Sequence, residues 1–312
     1  MVFLLLKKIL IAGLGSIGSE IVYNFVHDYD IKVIGNKKFF PQIQTKFPNV
    51  ELIDGDIHTK NLLKNESESV DLIFYVIDTG GVVSCVENPS KYNEINITKF
   101  SKLIKSLEGI VSHFFLLSTV FVYPSSQLCT EETMPDPETL YGKFRLEQEQ
   151  ILRNSNLNFT ILRLSNIFGY GHFPMIGNIG AIEKFVNSVF KEKKILLHGD
   201  GTQLVDYLYK RDLMNALKIL ATNASGKRVY NITTGTLKTI SEIAEIITTI
   251  AFQNFSKIIE IVKLNEKRKI PSSPLVLSDK IRKEYGWKPT TDIYRNIEEM
   301  MNYRMLQHEW KI

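Results

Sequence analysis

The sequence predicts an α/β protein: a doubly wound parallel sheet followed by a smaller C-terminal α/β domain. Three observations carry this expectation. Short apolar runs alternate with longer amphipathic stretches through the first half. The runs show little polar alternation, as in strands covered by helices on both faces. After Asn166 the rhythm weakens and glycines crowd together. The 312 residues, at about 150 per domain, fit two domains or one large one. We place them at 1–165 and 166–312, with some later segments returning to the first sheet.

Each element follows from its local pattern. Ile9–Ala12 reads as the first strand, and Ser16–His27 as a helix with Ile17, Ile21 and Phe25 on one side. Ile31–Ile34, Val50–Ile53, Asp71–Ile77, Phe114–Ser118 and Phe159–Leu164 are further runs rich in β-branched or aromatic residues. Helices are expected from about Tyr92 to Leu107 and from Leu140 to Arg153. Gly169, Gly171, Pro174, Gly177 and Gly180 mark a loop-rich entry into the second region. There follow a helix near Ile182–Phe190, a turn at Gly199-Asp200-Gly201, a strand near Tyr207–Tyr209, and helices at Asp212–Ala221 and Ile240–Ala251.

Composition narrows the partners. Apolar residues make up 44% and charged residues 23%, which argues against a disordered chain or a low-complexity fibre. The 38 basic and 34 acidic side chains leave +4, too little to make nucleic acid or an anionic membrane the default partner. Cys85 and Cys129 form no CxxC pair, and no HxxxH or HxH occurs, so neither a disulfide framework nor a zinc site is expected. The apolar start Met1–Leu6 is too short for a secretory segment, and no run approaches a membrane span. A soluble, cytoplasmic protein is the expectation.

The clearest local chemistry is Gly13-Leu14-Gly15-Ser16-Ile17-Gly18, a GxGxxG between the first strand and first helix. The first glycine permits a tight turn, the second lets backbone approach a pyrophosphate, and the third lets helix pack on strand. The helix N-terminus then offers the free N–H groups of Ser16 and Ile17 and a positive dipole end to an anion. A ligand-free glycine turn has the same pattern, but its place at the first junction of a Rossmann-type sheet favours a dinucleotide. NAD calls for an acid at the end of the second strand, whereas basic residues there suit the 2′-phosphate of NADP. That strand ends Ile34-Gly35-Asn36-Lys37-Lys38, so the cofactor is NAD or NADP, with a modest lean to NADP through Lys37 and Lys38; Asn36 and Lys37 are cofactor-binding candidates, and a solvated loop is the alternative for the lysines. Asp56 and Ile57, after the third strand, are candidates for the adenine edge; a turn acid is the alternative for Asp56.

A second constellation opens the helix at Tyr141-Gly142-Lys143-Phe144-Arg145. Positions four apart share a face, so Arg145 sits one turn above Tyr141. A tyrosine working near pH 7 must give up about three pH units from a pKa near 10, roughly 4 kcal/mol, which a fixed cation and an oxidised nicotinamide can supply. Ser118-Thr119 ends a buried strand, where α/β sheets place ligands.

Together these residues resemble the extended short-chain dehydrogenase/reductases, in the nucleotide-sugar epimerase/dehydratase branch. The resemblance runs along nearly the whole chain. It includes Cys85–Asn96 against SVENPxxYxxxN, Ser118–Pro124 against SSxxVYG, and Tyr141–Glu149 against YGxSKxxxE. Leu162–Gly171 is similar to LRLxNxYGPG, His198–Asp212 to YGDGxQxRDFxYVxD, Tyr230–Gly235 to YNxGxG, and Tyr285–Pro289 to LGWxP. The resemblance implies that Tyr141 moves the proton of a sugar hydroxyl, Thr119 hydrogen-bonds that oxygen, and Arg145 grips the nicotinamide ribose. Asn166 is implied at the sugar or its phosphate, and the fold as a Rossmann domain with a C-terminal substrate domain. It also implies a homodimer built on the helices at Tyr92–Leu107 and Leu140–Arg153, whose Phe100, Leu103, Ile104, Phe144, Leu146 and Ile151 could serve core or partner.

The departures are specific. The usual lysine of YxxxK is Arg145, which keeps the charge but relays no proton; restoring a lysine is expected to preserve or raise activity. Val205 stands where a diphosphate-clamping arginine precedes the acid of RDF; Arg268 is the candidate replacement, with a solvated basic run at Lys267-Arg268-Lys269 the favoured alternative. Asp78 is an acid where small residues flank the cofactor. Val120-Phe121 replaces the Asp-Glu pair of dehydratases, so water elimination is disfavoured. The expected activity is a nucleotide-sugar epimerase acting at C4 through a keto sugar. An NADPH-dependent 4-ketoreductase and a catalytically silent dinucleotide-binding protein are the alternatives.

Overall fold

The computed structural model describes residues 6–58, 70–77, 80–173, 180–264 and 271–309. Asp78, Pro174, Gly177 and Arg268 lie outside the described residues. The first half runs β1 (Lys8–Ala12), α1 (Ser16–Phe25), β2 (Asp30–Gly35), α2 (Phe40–Lys46), β3 (Glu51–Asp54), β4 (Val70–Tyr75), α3 (Val82–Glu87), α4 (Pro89–Asn93), α5 (Phe100–Leu107), β5 (Val111–Thr119), α6 (Leu140–Arg153) and β6 (Phe159–Leu164). The second half adds β7 (Asn166–Phe168), α7 (Ala181–Lys191), β8 (Lys194–His198), β9 (Leu204–Val205), β10 (Tyr207–Tyr209), α8 (Lys210–Thr222) and β11 (Lys227–Ile232). It closes with β12 (Lys238–Thr239), α9 (Ile240–Phe255), β13 (Glu260–Leu264), α10 (Asp279–Tyr285) and α11 (Ile293–Glu309).

Seven parallel strands form the main sheet in the order β3-β2-β1-β4-β5-β6-β11. The order reverses between β1 and β4, and an open α/β sheet takes its ligand in the crevice at that switch point. Alternate residues of each strand feed opposite cores. Ile9 and Ile11 pack with Ile21, Val22 and Phe25 of α1 and Leu213 and Leu217 of α8. Leu10 and Ala12 pack with Phe100, Leu103 and Ile104 of α5 and Leu152 of α6. Burial on both faces is why the strands read as continuous apolar runs. A third core joins Val186, Ile195, Ile247 and Met301 of the second half.

Several elements differ from the sequence expectation, and α2, α3, β7, β8, β9, β12, β13, α10 and α11 have no counterpart in it. The helix expected over 92–107 begins at Pro89, which suits a first turn, and carries a π-helical segment at Glu94–Lys99 between α4 and α5; nothing in the structure explains the π turn. β11, half-exposed and reading KRVYNI, joins the main sheet beside β6. The apolar residues that left core and partner open are settled for four positions: Phe100, Leu103, Ile104 and Phe144 are all buried within the chain itself. Among the described residues no helix is long and apolar enough to cross a membrane.

One buried polar network ties the sheet to α6. Glu149, with no exposed surface, accepts from Ser118 Oγ at 2.6 Å and from Arg163 Nε at 3.1 Å and Nη2 at 2.6 Å. Arg163 Nη1 donates to Tyr123 Oη at 2.7 Å, and that hydroxyl donates to Asn231 Oδ1 on β11 at 2.9 Å. Burial opposes the Arg163 charge, but the Glu149 hydrogen bonds and charge overcome it and push its pKa upward. Removing one partner of a buried pair strands the other charge. Glu149→Ala is therefore expected to lose about 3–5 kcal/mol, read from urea unfolding; a loss below about 1 kcal/mol, the level of a surface pair, would contradict this account.

Candidate active site

The glycine loop follows β1 and packs on the strand across the switch point. Gly13 holds φ +113°, and a Cβ there would lie 2.8 Å from Val76 O. A Cβ on Gly18 would overlap the Gly13 carbonyl. On Gly15, by contrast, a Cβ would meet nothing within 4 Å. The close contacts thus hold the loop tight while the middle glycine faces open space. α1 starts at Ser16 with Gly15 as N-cap, no side-chain cap and no acid in its first turn. Its N-terminal donors suit a pyrophosphate, and a cradle of this shape fits a dinucleotide.

The ends of β2 and β3 would meet the adenosine half. Asn36 Oδ1 accepts from Lys38 N at 2.9 Å, and Lys37 N donates to Asp54 Oδ1 at 3.1 Å. Asn36, Lys37 and Lys38 are exposed. Asp54 was missed by sequence reasoning: it pairs in register with Gly35, so an acid does stand beside the end of β2, supplied by the neighbouring strand. Asp56 Oδ1 is engaged by His58 N at 3.0 Å and His58 Nδ1 at 2.6 Å, with Lys99 Nζ 3.8 Å from Oδ2. Partial burial works to raise the Asp56 pKa, but the His58 contacts prevail and hold it low. The Ile57 side chain is buried in the core beneath α5, which leaves its backbone as the part that could meet a base.

The catalytic candidates converge. Thr119, Tyr141, Arg145 and Asn166 line one cleft of about 320 Å³, together with Ile17 of α1 and Val76 after β4. Thr119 ends β5, and its Oγ1 accepts from Phe121 N at 3.3 Å, which leaves its own proton to donate into the cleft. Thr139 caps α6 through Gly142 N at 2.9 Å. A Cβ on Gly142 would overlap the Phe121 carbonyl, so only glycine lets α6 seat this close to the end of β5. That contact brings Tyr141 beside Phe121, ring centroids 6.2 Å apart. The Arg145 guanidinium carbon lies 5.7 Å from the Tyr141 ring centroid, while Lys143 is exposed.

Arg145 is 7% exposed. Nη1 donates to Gln148 Oε1 at 2.8 Å, Nη2 donates to the Leu117 carbonyl at 2.6 Å, and Nε is buried with no partner among the described residues. A buried donor left open beside the cleft is what a ribose hydroxyl would satisfy. Asn166 begins β7 at the mouth, exposed, with Nδ2 3.4 Å from Ser273 Oγ. Asp206 is buried and accepts from Thr234 N, Thr234 Oγ1 and Gly235 N, so it braces a loop.

Sequence reasoning missed Tyr75, Leu117, Gln148 and Lys210. Tyr75 lines the cleft, and its hydroxyl is 2.9 Å from His58 Nε2. Lys210 opens α8 and donates to Ser16 Oγ at 2.7 Å; burial pushes its pKa down while Glu20 and Glu183 oppose. Of the expected residues that the structure describes, Ile17, Thr119, Tyr141, Arg145 and Asn166 line the cleft, whereas Gly13, Gly15, Ser16, Gly18, Asn36, Lys37, Asp56 and Ile57 do not.

The chain is similar to known proteins along most of its length. The chain is 26% identical over 302 residues to a putative UDP-glucose 4-epimerase of Methanocaldococcus jannaschii, covering 93% of this chain and 96% of that protein. It is 24% identical over 327 residues to the dTDP-D-glucose 4,6-dehydratase of Mus musculus, covering 98% and 91%. Its fold matches the crystal structure of UDP-glucose 4-epimerase from Thermotoga maritima with UDP-glucose, at TM-score 0.83, 20% identity, and coverage of 97% and 100%. Residues 9–233 match the NAD dependent epimerase/dehydratase family. The chain belongs to that family.

Proposed function

We propose that this protein is an NAD(P)-dependent nucleotide-sugar epimerase acting at C4 of the sugar through a transient keto sugar. The observation that carries the reading is the meeting of Thr119, Tyr141 and Arg145 in one cleft beside the glycine loop, at the switch point of the sheet. Gly13, Gly15, Gly18, Ser16 and Ile17 would hold the pyrophosphate of the dinucleotide, and Arg145 its nicotinamide ribose. A bound dinucleotide would supply the hydride acceptor and donor for the sugar carbon. Tyr141 takes the proton of the C4 hydroxyl as the carbon is oxidised and gives it back on reduction, and Thr119 donates a hydrogen bond to that oxygen throughout. The sugar nucleotide enters from the 166–312 half past Asn166, with Arg268 the candidate for its diphosphate. Two apolar side chains, Val120 (buried) and Phe121 (in the cleft), follow Thr119. They offer no acid and base for water elimination, which favours epimerisation over dehydration.

Exposed Lys37 and Lys38 favour a second reading, an NADPH-dependent 4-ketoreductase. Tritiated NADPH and candidate nucleotide sugars separate the two: a reductase transfers label stoichiometrically, an epimerase does not. A homodimer through α5 and α6 is part of the proposal, and sedimentation equilibrium checks it.

Tyr141→Phe is expected to lower turnover at least about 10²-fold, the usual range of a positioned acid or base, with dinucleotide affinity little changed by calorimetry. No turnover in the wild type, with tight dinucleotide binding, would instead establish a silent binding protein. Lys37→Ala with Lys38→Ala is expected to weaken NADPH and not NADH; equal weakening would remove the lean to NADP. The structure also revises the expectation for Arg145→Lys. One ammonium replaces two Nη atoms with separate acceptors, so a loss of about tenfold in kcat/KM is expected.

A further inference from the structure

Arg145 reaches the cleft from α6 on a long side chain, and such a chain holds one plane only if its surroundings fix it. Two acceptors do so. The Leu117 carbonyl, near the end of β5, takes Nη2 at 2.6 Å, and Gln148 Oε1, one turn along the same helix face, takes Nη1 at 2.8 Å. They hold different nitrogens, so both the position and the rotation of the guanidinium are set. Of the five N–H donors of an arginine, these contacts use two, and Nε is buried without a partner among the described residues.

Gln148 itself has no exposed surface, and its Nε2 is also buried without a partner among the described residues. An amide donor in that condition is a desolvation cost that leucine or methionine at the same place would not carry. Packing therefore gives no reason for a glutamine here. Its carbonyl on Arg145 does.

We propose that Gln148 is a positioning residue of the site: with the Leu117 carbonyl it sets the Arg145 guanidinium so that its remaining donors meet the hydroxyls of the ribose next to the nicotinamide. This rests on the dinucleotide reading above. Gln148 acts through Arg145 and touches neither sugar nor dinucleotide.

Three ligands locate the effect: ADP, which lacks the second ribose; ADP-ribose, which has it without nicotinamide; and NADH (or their 2′-phosphates, if the wild type prefers those). Gln148→Leu is expected to weaken ADP-ribose and NADH about tenfold by calorimetry while ADP stays within about twofold. Gln148→Glu keeps an acceptor for Nη1 and is expected to restore both to within about threefold of wild type. Thermal unfolding is followed in parallel, and Gln148→Met replaces the leucine variant if that does not fold. Equal weakening of all three ligands would assign Gln148 a purely structural role, and wild-type affinities in Gln148→Leu would remove the role altogether; either overturns the proposal. A wild type that binds none of the three would overturn the dinucleotide reading itself, and the Gln148 proposal with it.

Discussion

The carboxylate of Glu149 is the fixed point of this molecule. It sits on α6, receives Ser118 from β5 and Arg163 from β6, and is closed off from water. A helix can slide along a sheet by a turn at small expense when only apolar surface joins them, since methyl groups pack in several registers. An ion pair with three donors to one carboxylate permits a single register. Thr119 follows Ser118 directly, and Arg145 and Tyr141 lie one and two turns before Glu149. Locking Glu149 therefore sets the separation between hydroxyl, phenol and guanidinium. The Gly142 contact with the Phe121 carbonyl sets the same helix from its other end.

The dinucleotide cradle obeys a different constraint, crowding of backbone. Gly13 and Gly18 are hemmed in by carbonyl groups, whereas Gly15 faces open space. Two glycines thus shape the turn and one leaves room for a ligand. The cleft beyond it is lined partly by main chain and apolar side chains, including Val76, Leu117 and Ile17. In such surroundings a few directed donors discriminate strongly, because each unsatisfied group is costly.

Much of the fold was legible in the sequence because a parallel sheet covered on both faces demands long apolar runs. β6 and α6 were readable to their end residues. β11 was not: it has one neighbour and a half-wet face, so Lys227 and Arg228 stand where an interior strand would be apolar. Within the site, Thr119, Tyr141 and Arg145 could be found because their chemistry requires particular side chains at short spacing. The Leu117 carbonyl could not, since every residue has one and only tertiary structure selects it. Asp54 was hidden for a related reason: it is near Gly35 through strand register, not along the chain. Gln148 left a faint trace, three residues past Arg145, but nothing in the sequence marks which glutamine on a helix is buried.

The placement of β11 reaches beyond the sheet itself. Residues that follow the second half's first helices come back to cover the outer edge of β6, and Tyr123 anchors there through Asn231. An N-terminal fragment ending before Lys227 would carry β6 with a bare row of amides and carbonyls, a template for pairing with foreign chains. Chimeras that exchange specificity with a relative must therefore graft around this strand, keeping it with the recipient, rather than swap everything downstream of one crossover.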